Sequence, residues 1–331
     1  MNIRIIKPIA YAIALIAVIF FIPNFIESNY YMGIMNFALI NAIVALGFNF
    51  VFGYIGYISF AQAAFMGVGA YSSALVSLHF EWHFVPALLF ACLISMIFGL
   101  ILSIPALKLK GPYLAFTTLG FATIFLLFLT NQSDLTGGSP GLGRIPSPQF
   151  GELLIRTNWQ YYYFIVGFLV VLAFIAYRIE RSKMGRALFA IREDELAAGA
   201  GGVNVRYYKI VAFVISALFC GIGGVLYAHM LNFISPAVFS FDQAIVIFTM
   251  VLLGGSGNIK GPIIGAIILT FFPEWLRFMR GFHMAVYGAV IVAILMFMPE
   301  GIVGGLEKLG KFIWPSSKIK PLNPESKEEH Q

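Results

Sequence analysis

The chain has 331 residues, of which 60% are hydrophobic and 11% are charged, and so large an apolar share exceeds what the core of a soluble domain requires. These values indicate a polytopic membrane protein. The formal charge of +6 would suit nucleic-acid binding, but Lys and Arg lie at the ends of apolar segments and form no stripe interleaved with aromatic residues. We therefore expect no nucleic acid partner, and we attribute the basic residues to membrane topology.

Ten apolar runs have about the length that a helix needs to cross a bilayer. They lie at residues 9–26, 30–52, 58–79, 84–106, 112–131, 160–178, 210–229, 242–258, 262–279 and 283–299. We expect an all-α polytopic membrane protein with about ten transmembrane helices. One transmembrane domain would cover residues 1–315, with halves at 9–131 and 160–299, and residues 316–331 would form a polar, flexible tail in the cytosol.

The distribution of Lys and Arg predicts the orientation, because these residues accumulate in cytosolic loops. With both termini in the cytosol, an even number of spans places most basic residues there: Arg4, Lys7, Lys108, Lys110, the group at 178–209, Lys260 and the lysines of the tail. The arginines that fall outside are Arg144, Arg156, Arg277 and Arg280. The first apolar run is not followed by a small-residue cleavage site, so we expect it to be a retained span rather than a signal peptide.

A short pattern occurs twice, as Ser59-Phe60-Ala61-Gln62-Ala63 and as Ser240-Phe241-Asp242-Gln243-Ala244. By the predicted topology, the first copy opens a span from the cytosolic side and the second opens a span from outside. This relation predicts an inverted repeat of five plus five spans, as transporters often have. Glycines lie beside both copies and would let helices break or approach closely, although ordinary helix packing is an equal alternative.

Neither catalysis nor ion coupling finds support in the sequence. The histidines lie near span ends without metal-ligand spacing, no nucleophile is paired with a base, and Cys92 and Cys220 lie inside apolar runs. Ionisable groups within spans are scarce, whereas ion-coupled transporters keep such groups in the membrane interior. We expect a protein that is not an enzyme and that holds no metal or cofactor of its own.

The segment from Arg181 to Lys209 is the longest polar interruption of the chain. Carrying its basic residues across a membrane would cost on the order of 20 kcal/mol, so it must stay in water. Residues 186–200 favour a helix, Gly185 permits the turn into it, and the glycines at 199, 201 and 202 permit a sharp exit. We expect a short amphipathic helix with a mixed-charge face suited to a protein partner; a solvated loop that binds nothing is the alternative.

Five stretches of the chain resemble the permease subunits of branched-chain amino acid ABC importers of the LivM type. They are GYISFAQAAFMGVGAY from Gly56, KGPYLAFTTLGFATI from Lys110, LTGGSPGL from Leu135, GRALFAIREDELAAGAGGVNVRYYKIVAFVISALFCGIGGVLYA from Gly185 and LLGGSGNIKGPIIGA from Leu252. The spacing of Ala197, Ala198 and Gly202 also resembles the EAA motif of importer permeases. The chain departs from the family at two points. The Glu of the EAA motif is displaced by one position, with Leu196 next to the alanines, and Glu300 is acidic.

The resemblance implies a type II ABC importer permease in a bacterial or archaeal cytoplasmic membrane. Its partners would be a second, LivH-like permease, two ATPases of the LivG and LivF kind that bind ATP and Mg²⁺, and an extracytoplasmic binding protein that delivers the amino acid. The segment 180–209 would then be the coupling loop that docks on an ATPase. The implied contact residues are Arg186, Ile191, Arg192, Glu195, Ala197, Ala198 and Gly202.

For the solute path, we expect the spans that open near Ser59 and Ser240 to line it. The candidate residues are Ser59, Gln62, Ser240, Asp242, Gln243 and, with interhelical hydrogen bonding as an equal alternative, Asn41. The outer loop at residues 132–159 would contact the binding protein. Permeases for other amino acids and for urea or short amides share these motifs, so they remain alternatives for the solute; an ion-coupled transporter would instead act alone.

Overall fold

The computed structural model describes residues 28–109, 111–150 and 153–275, together with the isolated positions 288, 296, 301, 302 and 304. The predicted spans 9–26 and 283–299 and the tail at 316–331 therefore lie outside the continuously described part of the chain. The regular elements of the described part are helices apart from four two-residue strands. It agrees with the predicted all-α membrane class.

The helices run in the following order. α1 covers Asn29–Asn49 and continues as a π-helix over Phe50–Tyr54, α2 covers Gln62–His79, α3 Phe84–Ala106, α4 Pro112–Asn131 and α5 Ser133–Thr136. They are followed by α6 at Asn158–Glu180, α7 at Lys183–Glu193, α8 at Glu195–Ala200, α9 at Val205–Leu231, α10 at Phe241–Gly254 and α11 at Lys260–Trp275. A 3₁₀ turn over Pro236–Phe239 leads into α10.

The strands form two small antiparallel pairs. β1 (Leu142–Gly143) pairs with β4 (Phe233–Ile234), and β2 (Gln149–Phe150) pairs with β3 (Leu153–Leu154). The first pair ties the loop after α5 to the end of α9. Gly141 permits this close approach, because a Cβ at that position would lie 2.0 Å from the carbonyl oxygen of Ile234.

Five of the described helices are long and apolar enough to cross a membrane: Asn29–Tyr54, Phe84–Ala106, Pro112–Asn131, Asn158–Glu180 and Val205–Leu231. Each coincides with a span predicted from the apolar runs. Three more predicted spans, 58–79, 242–258 and 262–279, are helical as α2, α10 and α11 but are described over only 18, 14 and 16 residues. The total of ten spans remains a prediction.

Two predicted span boundaries are wrong, and glycine explains both. The span predicted from residue 58 begins only at Gln62, because Gly56 has a φ of +76° and the chain stays non-helical up to Ala61. The span predicted to end at 258 stops at Gly254, since Gly255 and Gly257 have φ values of +106° and +85°. Such left-handed conformations suit glycine and end a helix.

Contacts between helix ends show that the main helices alternate in direction. The last residues of α1 and α6 meet where Tyr54 donates a hydrogen bond to Glu180, and the start of α9 lies at this same end, which we call the basic end. At the opposite end, Asn158 at the start of α6 donates to the side chain and carbonyl of Asn29 at the start of α1. The group at 178–209 therefore lies at one end of the bundle, and Arg156 at the other.

Small residues set the packing of the central helices α2 and α9. A Cβ at Gly69 would lie 2.1 Å from the carbonyl oxygen of Gly221, and one at Gly224 would lie 1.9 Å from that of Met66. The two helix backbones are thus in direct contact at two levels. This is the close approach that the glycines predict, and it is typical of helix packing in membranes.

The two copies of the repeated pattern both precede helices, and these helices run in opposite directions. α2 starts from the side of the basic end and α10 runs toward that end. The copies also touch, since the ring centroids of Phe60 and Phe241 are 5.3 Å apart. Opposite directions agree with an inverted repeat, whereas a two-fold relation between complete halves remains a prediction.

Candidate functional site

The polar segment after Arg181 folds into two helices, not into the single helix that its sequence predicts over residues 186–200. α7 ends at Glu193 because Asp194 is extended, with φ −157° and ψ 117°. The Asp194 carboxylate accepts hydrogen bonds from the backbone N–H groups of Leu196 and Ala197, at 2.7 and 2.9 Å. Asp194 is therefore an N-cap, which starts a new helix at a new angle.

Gly185 also has a different role from the one predicted. It lies inside α7, and a Cβ there would be 2.1 Å from the carbonyl oxygen of Glu180, so it permits a close approach rather than a turn. The glycine exit is confirmed, because Gly202 has a φ of +86°. α7 and α8 thus form a bent pair that is held against the ends of α6 and α9.

Replacing Asp194 by alanine is expected to destabilise α8 by about 1 kcal/mol, the usual loss for an N-cap side chain. The two amides that it caps, those of Leu196 and Ala197, should exchange with deuterium faster, which mass spectrometry of the full chain would detect. Asp194→Asn is the matched control, because asparagine caps helices equally well. Equal exchange in both variants would contradict this role.

A buried ion pair joins α8 to the start of α9. The Lys209 ammonium donates to the Glu195 carboxylate at 2.7 Å, and the Lys209 side chain is only 1% exposed. Tyr57 closes the group: its hydroxyl donates to Glu195 at 2.9 Å, and its ring centroid lies 4.9 Å from the Lys209 nitrogen. Burial, together with the hydrogen bond and charge of Glu195, raises the pKa of the Tyr57 phenol, so it remains a donor.

Arg192 makes a second connection, from the end of α7 to the end of α1. Its Nη1 donates to the carbonyl oxygen of Gly53 at 2.6 Å. Two glycines make room for it, since a Cβ at Gly56 would lie 3.2 Å from its Cγ and one at Gly257 would lie 2.6 Å from its Nη1. Arg192 therefore lies at the junction of α1, the segment 55–61 and the loop after α10.

Asn49 binds the same loop from within the membrane helices. Its amide donates to the carbonyl oxygen of Asn258 at 2.9 Å and accepts from the N–H of Gly257 at 3.0 Å. This is the interhelical hydrogen-bonding role that the sequence leaves open for the asparagines of α1. Together with the Arg192 contact, it links the polar helix pair, the π-helix and the loop 255–259. We call the group formed by Tyr57, Glu195, Lys209, Arg192 and Asn49 the junction.

The predicted partner contacts divide into an inward and an outward set. Ile191 and Ala198 are buried, Glu195 is half-buried and binds Lys209, and Arg192 donates to Gly53 although its side chain is exposed. Arg186, Ala197 and Gly202 are exposed. Beside them the apolar side chain of Leu196 is 79% exposed.

The solute-path candidates Ser59 and Gln62 lie at the start of α2, next to the junction. Both are buried, and the Gln62 Nε2 has no hydrogen-bond partner among the described residues. The segment before them is fixed where the N–H of Phe60 donates to Thr118 of α4 at 3.0 Å. A buried amide nitrogen with both N–H groups free is a donor available to a polar solute or to water.

The other path candidates occupy the start of α10 and the face of α1. Ser240 precedes α10 without capping it, Asp242 is exposed in its first turn, and Gln243 is half-buried. The Phe60–Phe241 contact brings this helix start beside that of α2. Asn41 instead donates to Thr270 at 3.1 Å, which links α1 to α11. The structure thus groups the two pattern copies and places Asn41 in a helix contact; passage of a solute along these residues remains a prediction.

Tyr57 and Lys209 are junction residues that the sequence does not single out. Lys209 lies in the first turns of an apolar helix, and its position there is the one signal that could have marked it, since a cation so placed needs a partner. Tyr57 carries no such signal, because its role depends on contact with a segment about 140 residues away in the sequence.

Comparison with known proteins finds one family model, described as the permease component of branched-chain amino acid transport systems, which matches residues 30–298. The high-affinity branched-chain amino acid transport permease LivM of Escherichia coli is 33% identical over 302 residues, covering 84% of this chain and 71% of LivM. The high-affinity branched-chain amino acid transport permease LivH of Escherichia coli is 29% identical over 284 residues, covering 80% of this chain and 91% of LivH. No solved structure matches the chain.

Proposed function

We propose that this chain, which belongs to the family of permease components of branched-chain amino acid transport systems, is the transmembrane permease subunit of an ATP-driven importer of branched-chain amino acids. It would carry a solute that a binding protein delivers at the end opposite the basic end. Similarity to both LivM and LivH supports a pair of related permeases in one importer. Two ATPases, which bind ATP and Mg²⁺, would supply the energy.

The observation that carries this proposal is the junction. A soluble partner that moves α7 and α8 would move Glu195 and Arg192, which are bonded to Lys209 and to Gly53 in the membrane helices. Gly53 lies just before the non-helical stretch that leads to Ser59 and Gln62, and Tyr57 lies within it. A displacement outside the membrane would thus reach the start of α2 through direct contacts, which is what an ATP-driven permease requires.

The exposed Leu196 is the side chain that we propose as the anchor for an ATPase. Apolar side chains that enter a pocket on a partner often contribute most of the binding energy. Arg186, Ala197 and Gly202 would surround it. In this arrangement the basic end, with both termini, faces the cytosol of a bacterial or archaeal cell, as the distribution of Lys and Arg predicts.

Uptake by the reconstituted complex tests the proposal. Vesicles that contain this chain, a LivH-like permease, both ATPases and the binding protein should accumulate leucine only when ATP is supplied on the ATPase side. The chain alone, with a proton or sodium gradient in place of ATP, should take up nothing. Uptake under that second condition would instead support an ion-coupled transporter.

The ligand of the binding protein that acts with this chain would distinguish branched-chain amino acids from the alternative solutes. Calorimetry should give tight binding of leucine, isoleucine or valine and no binding of urea. The similarity to branched-chain amino acid permeases favours this outcome. Tight binding of urea or a short amide would instead assign the chain to an importer of urea or short amides.

Gln62→Leu is expected to reduce uptake strongly while leaving the fold intact or slightly more stable. The reason is that Gln62 buries an amide nitrogen to which no described residue offers an acceptor, so an apolar side chain of similar size removes an unmet hydrogen-bonding group. Leucine uptake should fall by about tenfold, the effect of one lost hydrogen bond to the solute of about 1.4 kcal/mol. Gln243→Leu at the second copy should also impair uptake.

The matched control is Asn41→Leu. Because Asn41 is already bonded to Thr270, its replacement should lower stability more than Gln62→Leu does. Uptake and thermal stability would be measured for each variant in the same complex. Unchanged uptake with Gln62→Leu would remove Gln62 from the solute path.

A further inference from the structure

A polar cavity of about 220 Å³ lies at the end opposite the basic end, away from the junction and from the path candidates. It is formed by the end of α2, the turn into α3, the loop after β1 and the end of α9. Its described lining residues are Ser77, Glu81, Trp82, His83, Phe84, Pro146, Ser147, Gln149 and His229.

His229 supplies this cavity with a hydrogen-bond acceptor. Its Nδ1 lies 2.7 Å from the carbonyl oxygen of Pro146. A carbonyl only accepts, so Nδ1 carries the proton, and in the neutral ring Nε2 is left with a free lone pair. Nε2 is buried in a residue that is only 1% exposed, and no described residue gives it a hydrogen-bond partner.

The ring of His229 is also held in place. The Tyr161 hydroxyl donates to the His229 carbonyl oxygen, and the Phe84 ring meets the imidazole edge to face with centroids 5.1 Å apart. The imidazole is therefore oriented before any ligand arrives. Preorganised groups of this kind bind a ligand without a further cost of ordering.

A second free acceptor and a negative charge complete the site. The Ser77 hydroxyl oxygen is buried in a residue that is 5% exposed, and it has no hydrogen-bond partner among the described residues. Glu81, exposed in the turn before α3, brings a carboxylate to the cavity, and Trp82 beside it offers an aromatic face. Glu81 is the one acidic residue among the described lining residues.

We propose that this cavity binds a primary ammonium group. An ammonium ion has three N–H donors, which match the His229 Nε2, the Ser77 oxygen and the Glu81 carboxylate. Aromatic faces such as that of Trp82 add attraction for a cation. A carboxylate or phosphate ligand is disfavoured, because the carboxylate of Glu81 would repel a second negative charge in the cavity.

Two sources could supply the ammonium, and naming them rests on the proposed import function. One is the α-ammonium of a free amino acid on its way into the permease. The other is a lysine side chain of the extracytoplasmic binding protein. Both present the same chemistry to the cavity, so binding of a simple ammonium ion is tested first.

Trp82 gives a direct readout in the full-length chain in lipid nanodiscs. At about pH 8, where histidine is neutral, methylammonium should change the fluorescence of this residue in a saturable manner, and Trp82→Phe should remove the change. Tetramethylammonium, which has the charge but no N–H donors, should produce no saturable change at equal ionic strength. Equal responses to the two ions would overturn the proposal.

Two variants locate the bound ion. Glu81→Gln and Ser77→Ala should each weaken methylammonium binding by about tenfold, as expected for loss of a charge-assisted hydrogen bond. Asp134→Asn is the matched control, because Asp134 is an exposed carboxylate outside the described lining. Unchanged affinity in Glu81→Gln, an exposed position whose replacement leaves the fold intact, would also overturn the site.

Competition identifies the source. If leucine displaces methylammonium and N-acetyl-leucine does not, the free amino acid is the ligand. If leucine does not compete, but acetylation of the lysines of the binding protein abolishes both its docking and its competition, the ligand is a lysine. Failure of both would overturn a physiological ammonium site, whereas the ATP-dependent uptake assay would still report separately on the import function.

Discussion

Replacing Glu195 by alanine is expected to lower the free energy of unfolding of the chain by about 3 kcal/mol. The change leaves the Lys209 ammonium, which is 1% exposed, without the carboxylate that lies 2.7 Å away. Removing one partner of a buried pair costs about 3–5 kcal/mol, because an uncompensated charge stays buried. The lower value applies because the Glu195 side chain is itself 23% exposed.

Lys209→Met should cost less than Glu195→Ala. In that variant the Glu195 carboxylate loses one partner, but it is already partly in contact with solvent and still accepts the hydroxyl of Tyr57. The double variant, Glu195→Ala with Lys209→Met, should recover most of the lost stability, since it removes both charges of the pair. Equilibrium unfolding of the four proteins in mixed micelles measures the coupling.

A coupling energy near zero would show that the ion pair does not stabilise the fold. Uptake by the double variant gives a second test of the pair. The double variant should fold well and yet transport poorly, because α8 is no longer joined to α9 and Tyr57. Normal uptake by a stable double variant would exclude the pair from the transmission of movement.

Much of the membrane architecture follows from composition, because an apolar run of about 20 residues satisfies its backbone only as a helix. The predicted spans 84–106 and 112–131 coincide with α3 and α4. The errors fall where single residues override the apolar pattern. Gly56 delays the start of α2, and Asp194 divides the polar segment by capping a second helix.

The junction could be predicted only in part. The family resemblance implies that Arg192 and Glu195 contact an ATPase, and this stays a prediction. The structure shows in addition that Arg192 donates to Gly53 and that Glu195 accepts from Lys209, so both residues also bind the membrane helices. The sequence does not show how deeply each side chain is buried. The aliphatic stem of Lys209 places its ammonium inside the bundle, and a buried ammonium needs a carboxylate partner.

The contact between the two pattern copies indicates which helices a movement of the junction would reach. Phe60 packs against both Phe241 and Phe248 of α10, and Gln62 lies two residues after Phe60. The loop that ends α10 returns to Arg192 and Asn49. The start of α2 and the end of α10 are thus both connected to the junction, so a movement of the junction would shift both pattern copies together.

Arg192→Ala is therefore expected to separate ATP hydrolysis from uptake in the reconstituted complex. The variant loses the hydrogen bond from Nη1 to the Gly53 carbonyl, at 2.6 Å, and leaves a gap beside Gly56 and Gly257. Coupling energies between distant sites are typically about 1–3 kcal/mol, or about 5- to 150-fold. We expect leucine uptake for each ATP hydrolysed to fall by at least about tenfold, while hydrolysis continues.

The matched control is Arg186→Ala on the same helix. Arg186 is exposed and makes no hydrogen bond or ion pair with the described membrane helices, so its loss should weaken ATPase binding without changing the ratio of uptake to hydrolysis. Both rates are measured on the same vesicles, and retention of the ATPases is checked by co-purification. If Arg192→Ala lowers uptake and hydrolysis in equal proportion, Arg192 serves partner binding alone, and the transmission of movement must then depend on Glu195, Lys209 and Tyr57.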